Sequence, residues 1–165
     1  MIKTLAVLTI LAMTSIKPAI AKPIYRSFGW VSDGDTIVIK ENGKETRIRL
    51  AFIDAPELGQ KLGPKSQKAL ADLLKGVITR KEYGTDRYGR VLAEVYADGK
   101  LVNVEMVRLG MAYVYYQFAK NSCDLPLYAE AESQAKRRGL GVWNWNSYDV
   151  TPEEYRIQHR IQQFP

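Results

Sequence analysis

Residues 49–57 read RLAFIDAPE, an apolar stretch with a charged residue at each end. Its first half completes a run over residues 45–53 that predicts a β-strand, and the proline that follows stops this strand. The stretch therefore predicts one arginine, Arg49, inside a strand and two carboxylates, Asp54 and Glu57, directly after it.

Two further strands are predicted upstream of this stretch. Residues 24–31 and 36–40 are rich in aromatic and β-branched side chains, which is typical of strands. Residues 32–35 form a turn between them, because Asp and Gly favour turns. The Asn-Gly pair at 42–43 then closes a tight hairpin onto the strand that contains Arg49.

Downstream of the stretch, helices alternate with strands. Strands are predicted over residues 77–83 and 90–96, and helices over 64–75, from Asn103 to just before Gly110, over 125–138 and over 152–162. Asn103 is expected to cap its helix, and Thr151 and Glu154 have the spacing of a capping box. Five strands interrupted by helices predict an α+β, mainly β fold on a small closed barrel, although periodicity alone leaves a barrel and a meander open.

Length and composition are those of a single globular domain. The chain has 165 residues, of which 46% are hydrophobic and 25% charged, and this composition argues against a disordered chain. The formal net charge of +6 favours a polyanionic partner, either nucleic acid or an anionic membrane surface.

Residues 1–21 have the organisation of a secretory signal peptide. Lys3 supplies a positive start, residues 5–13 form an apolar run, and residues 19–21 read Ala-Ile-Ala, the small-x-small pattern of a cleavage site. The run is shorter than the roughly 20 residues of a membrane span, although an uncleaved anchor stays open as the alternative. We expect an exported, periplasmic or secreted protein without stable membrane association, whose net charge falls from +6 to +4 when Lys3 and Lys17 are removed.

Histidine and cysteine are too scarce for several kinds of catalysis. Cys123 is the only cysteine and His159 the only histidine, so the chain lacks the ligands of a His/Cys zinc site. A Ser-His-Asp triad would depend on a histidine near the C-terminus. Cys123 is interpreted as a partly buried free thiol. An enzyme with this sequence must therefore use carboxylates and arginines.

Six charged residues form the candidate site: Asp35, Arg49, Asp54, Glu57, Arg87 and Arg90. Phosphodiester hydrolysis requires a cation, fixed positive donors for the phosphate oxygens and a base that activates water. Carboxylates without histidine suit a hard cation such as Ca²⁺ or Mg²⁺, and the planar arginine side chain holds two phosphate oxygens at once. Each residue alone has an ordinary explanation as a turn or surface charge, so the hypothesis depends on their joint occurrence.

Three segments resemble the signature segments of the staphylococcal (micrococcal) nuclease family. They are Asp-Gly-Asp-Thr at 33–36, the stretch at 49–57, and Asp-Arg-Tyr-Gly-Arg at 86–90, in the family's order and with compatible spacing. Residues 101–103 and 110–112 and the helix that runs into Trp143 are also similar to the family. The resemblance covers roughly residues 25–145.

This resemblance implies a five-stranded OB-fold barrel with three helices over residues 22–147, followed by a helical extension over 148–165. It implies a Ca²⁺-dependent, sugar-non-specific endonuclease that cuts DNA and RNA and leaves 3'-phosphate ends. Asp35, Asp54 and the backbone carbonyl of Ala55 would bind the metal.

The resemblance also assigns roles around the scissile phosphate. Glu57 would orient or deprotonate the attacking water, while Arg49 and Arg90 would clamp the phosphate. Substrate binding would involve one basic residue, Arg87, and two aromatic residues, Tyr88 and Tyr116. Binding through phosphates and stacked bases predicts a preference for single-stranded or locally open nucleic acid, and we expect a monomer.

Two features depart from the family pattern or lie beyond it. The loop over residues 58–63 is shorter than in well-known members, which affects substrate preference rather than the chemistry. Residues 148–165 contain no indication of a site, and they are interpreted as a helix that packs on the barrel or as a partner-binding tail. A non-catalytic nucleic-acid-binding module and an envelope-interaction protein remain the alternative functions.

Overall fold

The structure is a computed structural model that describes residues 22–24, 28–41, 43–120, 124–147 and 149–163. The predicted signal peptide and Cys123 lie outside these residues, so the predictions about them are not tested. No helix within the described ranges is long and apolar enough to cross a membrane.

Short strands and helices alternate along the chain. The strands are β1 (Lys22–Ile24), β2 (Phe28–Val31), β3 (Thr36–Glu41), β4 (Lys44–Leu50), β5 (Ile53–Asp54), β6 (Ile78–Thr85), β7 (Val91–Ala97), β8 (Lys100–Leu101) and β9 (Tyr113–Val114). The helices are α1 (Gly63–Leu73), α2 (Val102–Arg108), α3 (Tyr116–Ala119), α4 (Leu125–Arg137) and α5 (Pro152–Gln163). Two 3₁₀ turns, Gly141–Trp143 and Trp145–Ser147, connect α4 to α5.

Seven of these strands form one mixed sheet in the order β1-β6-β7-β4-β3-β2, with β8 paired to β7. The hairpin predicted at Asn42-Gly43 is present, because β3 and β4 pair antiparallel from Glu41 opposite Lys44. The central pair, β4 with β7, is parallel and places Arg49 opposite Leu92. The α+β class is thus confirmed, whereas no pairing among the described residues joins β1 to β2 and closes a barrel.

The core covers one face of the sheet. In β4, Ile48 and Leu50 are fully buried in this core. Because side chains alternate along a strand, Arg49 points to the opposite face. Helices α1, α2 and α4 contribute the other half of the core through a set of fully buried residues: Leu70, Val102, Met106, Val107, Tyr128, Ala131 and Ala135.

The prediction of one strand over residues 45–53 is wrong at its C-terminal end. Strand β4 stops at Leu50, and Phe52 adopts a positive φ of 67°, a left-handed conformation that a strand cannot continue through. The chain then forms β5, which pairs with β9 so that Asp54 lies opposite Tyr113. This turn re-aims the chain and brings Asp54 back toward Arg49.

The predicted helices over 64–75, 125–138 and 152–162 are confirmed as α1, α4 and α5, whereas the short α3 was not predicted. The capping box at the start of α5 is also present. The backbone N–H of Thr151 donates to Glu154 Oε2 at 2.8 Å, and the N–H of Glu154 donates to Thr151 Oγ1 at 3.3 Å. The strand predicted over 24–31 corresponds to β1 and β2, which belong to opposite edges of the sheet.

The prediction that Asn103 caps its helix is wrong. The N-cap position of α2 is Leu101, and Asn103 lies inside the helix, fully buried. Its side-chain amide donates to the carbonyls of Ala51 at 2.8 Å and Ala93 at 3.2 Å, while its oxygen accepts the N–H of Val95 at 2.9 Å. Asn103 therefore ties α2 to β7 and to the turn after β4.

Candidate active site

The turn before β3 approaches the chain after β5 at a glycine. A Cβ on Gly34 would lie 2.7 Å from the Cβ of Ala55 and 2.9 Å from the Cβ of Ser66 in α1. These separations are too short for any larger side chain to fit without a shift of its neighbours. Glycine at this position thus lets Asp35 lie directly against Ala55.

Asp35 is a buried carboxylate with few compensating charges. Its Oδ2 accepts the backbone N–H of Ala55 at 2.7 Å and lies 3.0 Å from Arg49 Nη2, and its Oδ1 accepts the hydroxyl of Thr36 at 3.2 Å. Burial raises the pKa of Asp35 to about 7, although Arg49 opposes this shift. Asp33 adds to the rise through charge repulsion. A further positive charge beside Asp35 would favour its ionised form.

Arg49 is held in one place by the backbone and by two carboxylates. Its Nη1 donates to the carbonyls of Leu50 and Ile53, each at 2.9 Å. Its Nη2 lies 3.0 Å from both Asp54 Oδ1 and Asp35 Oδ2. The turn at the end of β4 supplies these carbonyls, so the conformation at Phe52 and the position of the guanidinium depend on each other.

A second arginine, Arg156 of α5, completes the charged cluster. Its Nη1 donates to Asp54 Oδ1 at 3.1 Å and to Glu57 Oε1 at 2.7 Å, and its Nη2 donates to Asp54 Oδ2 at 2.9 Å. Burial alone would lower the pKa of Arg156, but the hydrogen bonds to Asp54 and Glu57 raise it well above its usual value. The sequence indicated no site in residues 148–165, so this contact was missed. A basic residue on a short polar helix carries no signal of such a role.

Glu57 differs from the aspartates in its access to solvent. Its side chain is 35% exposed, whereas those of Asp35 and Asp54 are 9% and 8% exposed. The backbone N–H of Glu57 donates to Gln60 Oε1 at 2.9 Å, which holds the start of the following loop. Glu57 is therefore the carboxylate of this cluster that solvent water reaches most readily.

The turn at 86–90 presents the other predicted phosphate ligands. Asp86 organises it, because its Oδ1 accepts the N–H groups of Tyr88 and Arg90 at 2.9 and 3.0 Å and its Oδ2 accepts Arg90 Nε at 2.8 Å. Burial raises the pKa of Asp86, but these hydrogen bonds outweigh burial and hold it below its usual value. The ring of Tyr88 lies 4.8 Å from the guanidinium carbon of Arg87 and 5.4 Å from that of Arg90.

Arg90 reaches the same end of the sheet as Arg49 without touching the acidic cluster. Arg49 lies opposite Leu92 in the parallel pair, only two residues beyond Arg90. The contacts that the described residues give to the Arg90 side chain are with Asp86 and Tyr88. The structure thus brings together Asp35, Arg49, Asp54 and Glu57, while Arg87, Tyr88 and Arg90 form an adjoining exposed turn.

Tyr116 belongs to a separate hydrogen-bond network, which is centred on Glu132. Its hydroxyl donates to Glu132 Oε2 at 3.0 Å, and Lys136 and the N–H of Val114 contact the same carboxylate. Burial raises the pKa of Tyr116 to about 12, and the hydrogen bond to Glu132 adds to this rise. Its ring is 40% exposed, so a base could stack on it while the hydroxyl stays bonded to Glu132.

The oxygen atoms of the cluster suit a hard cation. No three His, Cys, Asp or Glu side chains converge as a metal site within the described residues, but the predicted ligand set has only two carboxylates and one backbone carbonyl. Asp35 Oδ2 and Asp54 Oδ1 both lie 3.0 Å from Arg49 Nη2, so the two carboxylates converge on the same guanidinium nitrogen. Buried, all-oxygen donors of this kind are those that Ca²⁺ and Mg²⁺ prefer. The Ala55 carbonyl as third ligand stays a prediction.

Comparison with known proteins finds a nuclease family and relatives with nuclease names. The family model described as staphylococcal nuclease homologue matches residues 47–145. An uncharacterized endonuclease of Haemophilus influenzae is 42% identical over 135 residues, which cover 79% of this chain and 72% of that protein. A micrococcal nuclease of Shigella flexneri is 41% identical over 126 residues, 69% of this chain and 70% of that protein. An uncharacterized endonuclease of Escherichia coli is 38% identical over 129 residues, covering 77% and 82%.

The fold and the site together define an α+β protein with a buried centre of carboxylates and arginine. This chain belongs to the staphylococcal nuclease family, as its three signature segments predicted. The segments at 49–57 and 86–90 fall within the region that the family model matches, and Asp35 precedes that region.

Proposed function

We propose that this protein is a Ca²⁺-dependent endonuclease that hydrolyses phosphodiester bonds in DNA and RNA and leaves 3'-phosphate ends. The observation that supports this most directly is the buried cluster of Asp35, Arg49 and Asp54 beside the half-exposed Glu57. These are the residue types that phosphodiester hydrolysis requires, in a family whose relatives carry nuclease names.

The carboxylates Asp35 and Asp54, with the carbonyl of Ala55, would hold the cation. When bound, Ca²⁺ supplies positive charge to the phosphate oxygens and makes a coordinated water easier to deprotonate. The two aspartates are fixed before substrate arrives, because the N–H of Ala55 and Nη2 of Arg49 orient them. Such prior ordering lowers the cost of reorganisation during the reaction.

Glu57 is the base in this mechanism. Its exposed carboxylate takes a proton from the water that attacks phosphorus, whereas the buried aspartates serve as ligands. Arg49 donates to the phosphate oxygens. Its Nη1 bonds to the carbonyls of Leu50 and Ile53 keep the guanidinium plane in position for this contact.

The exposed turn at 86–90 binds the nucleic acid chain and completes the phosphate clamp. Arg90 exchanges part of its contact with Asp86 for a phosphate oxygen, and Arg87 contacts a neighbouring phosphate. The ring of Tyr88 is 65% exposed, which allows an unpaired base to stack on it. This mode of binding favours single-stranded or locally open substrates and gives weak sequence preference.

We also propose that the protein is exported and that its sheet forms an OB-type barrel. Residues 1–21 would be removed as a signal peptide, so that a monomer of residues 22–165 acts in the periplasm or outside the cell. The sheet order and the helices around it support a five-stranded OB-type barrel in which strands β2, β3, β4, β6 and β7 supply the wall.

The test is degradation of single-stranded DNA and RNA by the purified protein in Ca²⁺ and then in excess EGTA. We expect cleavage of both polymers, loss of cleavage in EGTA, and product ends that carry a 3'-phosphate. Binding without cleavage in Ca²⁺ would identify a non-catalytic module instead. Cleavage that persists in EGTA would show that the metal site assigned to Asp35 and Asp54 is wrong.

A further inference from the structure

Arg156 occupies the side of the acidic cluster that faces α5. It donates to both carboxylate oxygens of Asp54 and to one of Glu57, at 2.7 to 3.1 Å. Asp54 Oδ1 also accepts from Arg49, so both oxygens of Asp54 are engaged by guanidinium groups. The side chain of Arg156 therefore already supplies the positive charge that these two carboxylates attract.

This arrangement is incompatible with a divalent cation on the same oxygens. Ca²⁺ binds carboxylate oxygens at about 2.3–2.6 Å from several directions, and the guanidinium of Arg156 lies across both oxygens of Asp54. Two cations that share one carboxylate also repel each other in a half-buried site. Either Arg156 or the cation can therefore occupy the outer side of Asp54, but not both.

The contact area of α5 is small enough for the helix to be displaced. Pro152 is buried and Tyr155 and Arg156 are half-buried, whereas the helix positions from Ile157 to Arg160 are exposed. The hydroxyl of Tyr155 rests against Gly59, where a Cβ would overlap it. Among the side chains of α5 whose burial is described, one turn holds the helix to the domain, and such a helix opens locally at low free-energy cost.

The segment before α5 is tied separately, so it provides a hinge. Gln60 Nε2 donates to the carbonyl of Val150 at 2.7 Å, and the N–H of Lys61 donates to Asp149 Oδ2 at 3.2 Å. Lys61 Nζ also donates to the carbonyl of Asn146 at 2.6 Å. These bonds keep Asn146, Asp149 and Val150 on the loop after Glu57 when the helix itself moves.

We propose that α5 is an intramolecular latch, in which Arg156 occupies the cation-binding side of Asp54 and must withdraw before a divalent cation binds. The inference rests on the proposed function, because it assigns Asp54 to the Ca²⁺ site. The latch raises the Ca²⁺ concentration at which the site fills. By linkage, Ca²⁺ releases the helix to the same extent that the docked helix weakens Ca²⁺ binding.

The first test compares Ca²⁺ affinity in two matched variants, measured by calorimetry on the purified protein without nucleic acid. Arg156→Ala removes the competing guanidinium, and Arg160→Ala removes the same charge from an exposed position one turn further along α5. A latch that is closed in about nine of ten molecules predicts roughly tenfold tighter binding for Arg156→Ala. Arg160→Ala should bind Ca²⁺ as the unmodified protein does.

The second test follows the helix itself by hydrogen exchange of the amides in residues 153–160. In the unmodified protein, saturating Ca²⁺ should speed exchange in α5 while it slows exchange around Asp54. Tyr155→Ala, which loosens the helix but retains Arg156, should raise Ca²⁺ affinity in the same direction as Arg156→Ala. This variant tests the latch even if one of the others folds poorly.

The possible results separate the latch from the nuclease proposal. Equal Ca²⁺ affinity in both arginine variants, or unchanged exchange in α5 at saturating Ca²⁺, would overturn the latch and leave the nuclease proposal standing. Weaker Ca²⁺ binding in Arg156→Ala would overturn it too, since Arg156 would then support the cation. If none of the proteins binds Ca²⁺, the metal site of the proposed function is wrong and the latch falls with it.

Discussion

At the scale of single residues, the three carboxylates of the candidate site differ in their environment, and this difference suits them to different chemical roles. Asp35 and Asp54 are buried and face Arg49, while the Glu57 side chain is 35% exposed and is held at its backbone by Gln60. Ligands benefit from fixed, desolvated positions, whereas a base needs contact with water. The roles proposed for the two aspartates and the glutamate are consistent with this difference in exposure.

Glu57→Gln is the substitution that tests this division. We expect turnover of single-stranded DNA to fall by about 10²–10⁴-fold, because an amide cannot accept the proton from water. The affinity for a short oligonucleotide should stay the same, since Glu57 lies among carboxylates rather than in the binding turn. Initial rates and fluorescence anisotropy measure the two quantities, with circular dichroism as the control for folding.

Two other results of that experiment have distinct meanings. Unchanged turnover would remove Glu57 from the mechanism. A rise in turnover would instead reflect the loss of the ion pair between Glu57 and Arg156, and would mean that release of α5 outweighs loss of the base.

At the scale of elements, the turn at 86–90 shows how a short segment positions an arginine side chain, that of Arg90. Asp86 accepts three hydrogen bonds, two from backbone N–H groups and one from Arg90 Nε. These bonds set both the shape of the turn and the direction of the arginine. Asp86 is therefore a positioning residue that acts through Arg90.

Asp86→Asn is expected to lower kcat by about tenfold to a hundredfold, with a smaller change in KM. The asparagine keeps one oxygen for the backbone N–H groups but loses the charge that holds Arg90 Nε, and misplacement of a phosphate ligand by about 1 Å costs up to roughly 10²-fold. Asp98→Asn is the matched control, since Asp98 likewise accepts a backbone N–H, that of Val77, in a remote turn. Equal kinetics in the two variants would show that Arg90 does not depend on Asp86.

The elements also show what the sequence could and could not predict. The hairpin at 42–43, helices α1 and α4 and the capping box of α5 were predicted because each depends on residues close together in the chain. The break at Phe52, with its positive φ, was not, since the contacts at this turn come from distant residues, such as the N–H of Tyr115 that donates to the carbonyl of Phe52 at 2.8 Å.

In the candidate site too, the sequence predicted the residues that belong to a local pattern and missed the residue that reaches the site from a distant part of the chain. Segments 33–36, 49–57 and 86–90 each carry a local pattern, and the structure brings the first two together around Arg49. Arg156 is about a hundred residues away from Asp54 in the sequence, and nothing local distinguishes it from Arg160. Its contact with the site arises only from the docking of α5.

At the scale of the whole molecule, positive charge and the acidic centre occupy different places. The net charge is +6, yet the residues proposed to bind the cation are carboxylates with little exposure. The arginines of the exposed turn 86–90 lie beside this centre. In the proposed function, a nucleic acid strand is therefore attracted by the surface as a whole and placed by a few arginines.

Attraction of nucleic acid by positive surface charge predicts how the binding of a strand depends on salt concentration. If Arg49 and Arg90 together neutralise the scissile phosphate and Arg87 a neighbouring one, log K for a single strand should fall with log salt with a slope of about −1.4. Binding of single-stranded DNA to the Glu57→Gln variant in Ca²⁺ should then weaken by about 25-fold between 50 and 500 mM salt.

Two charge-removing variants test whether the slope comes from the turn or from net charge. Arg87→Ala should reduce its magnitude by about 0.7, the share of one phosphate contact. Lys100→Ala removes the same charge from the far end of β7, where Lys100 pairs with Ala97, and should leave the slope unchanged. Equal slopes in the two variants would mean that net charge rather than the turn draws the strand to the site. A slope near zero in the parent would mean that stacking on rings such as Tyr88 dominates binding.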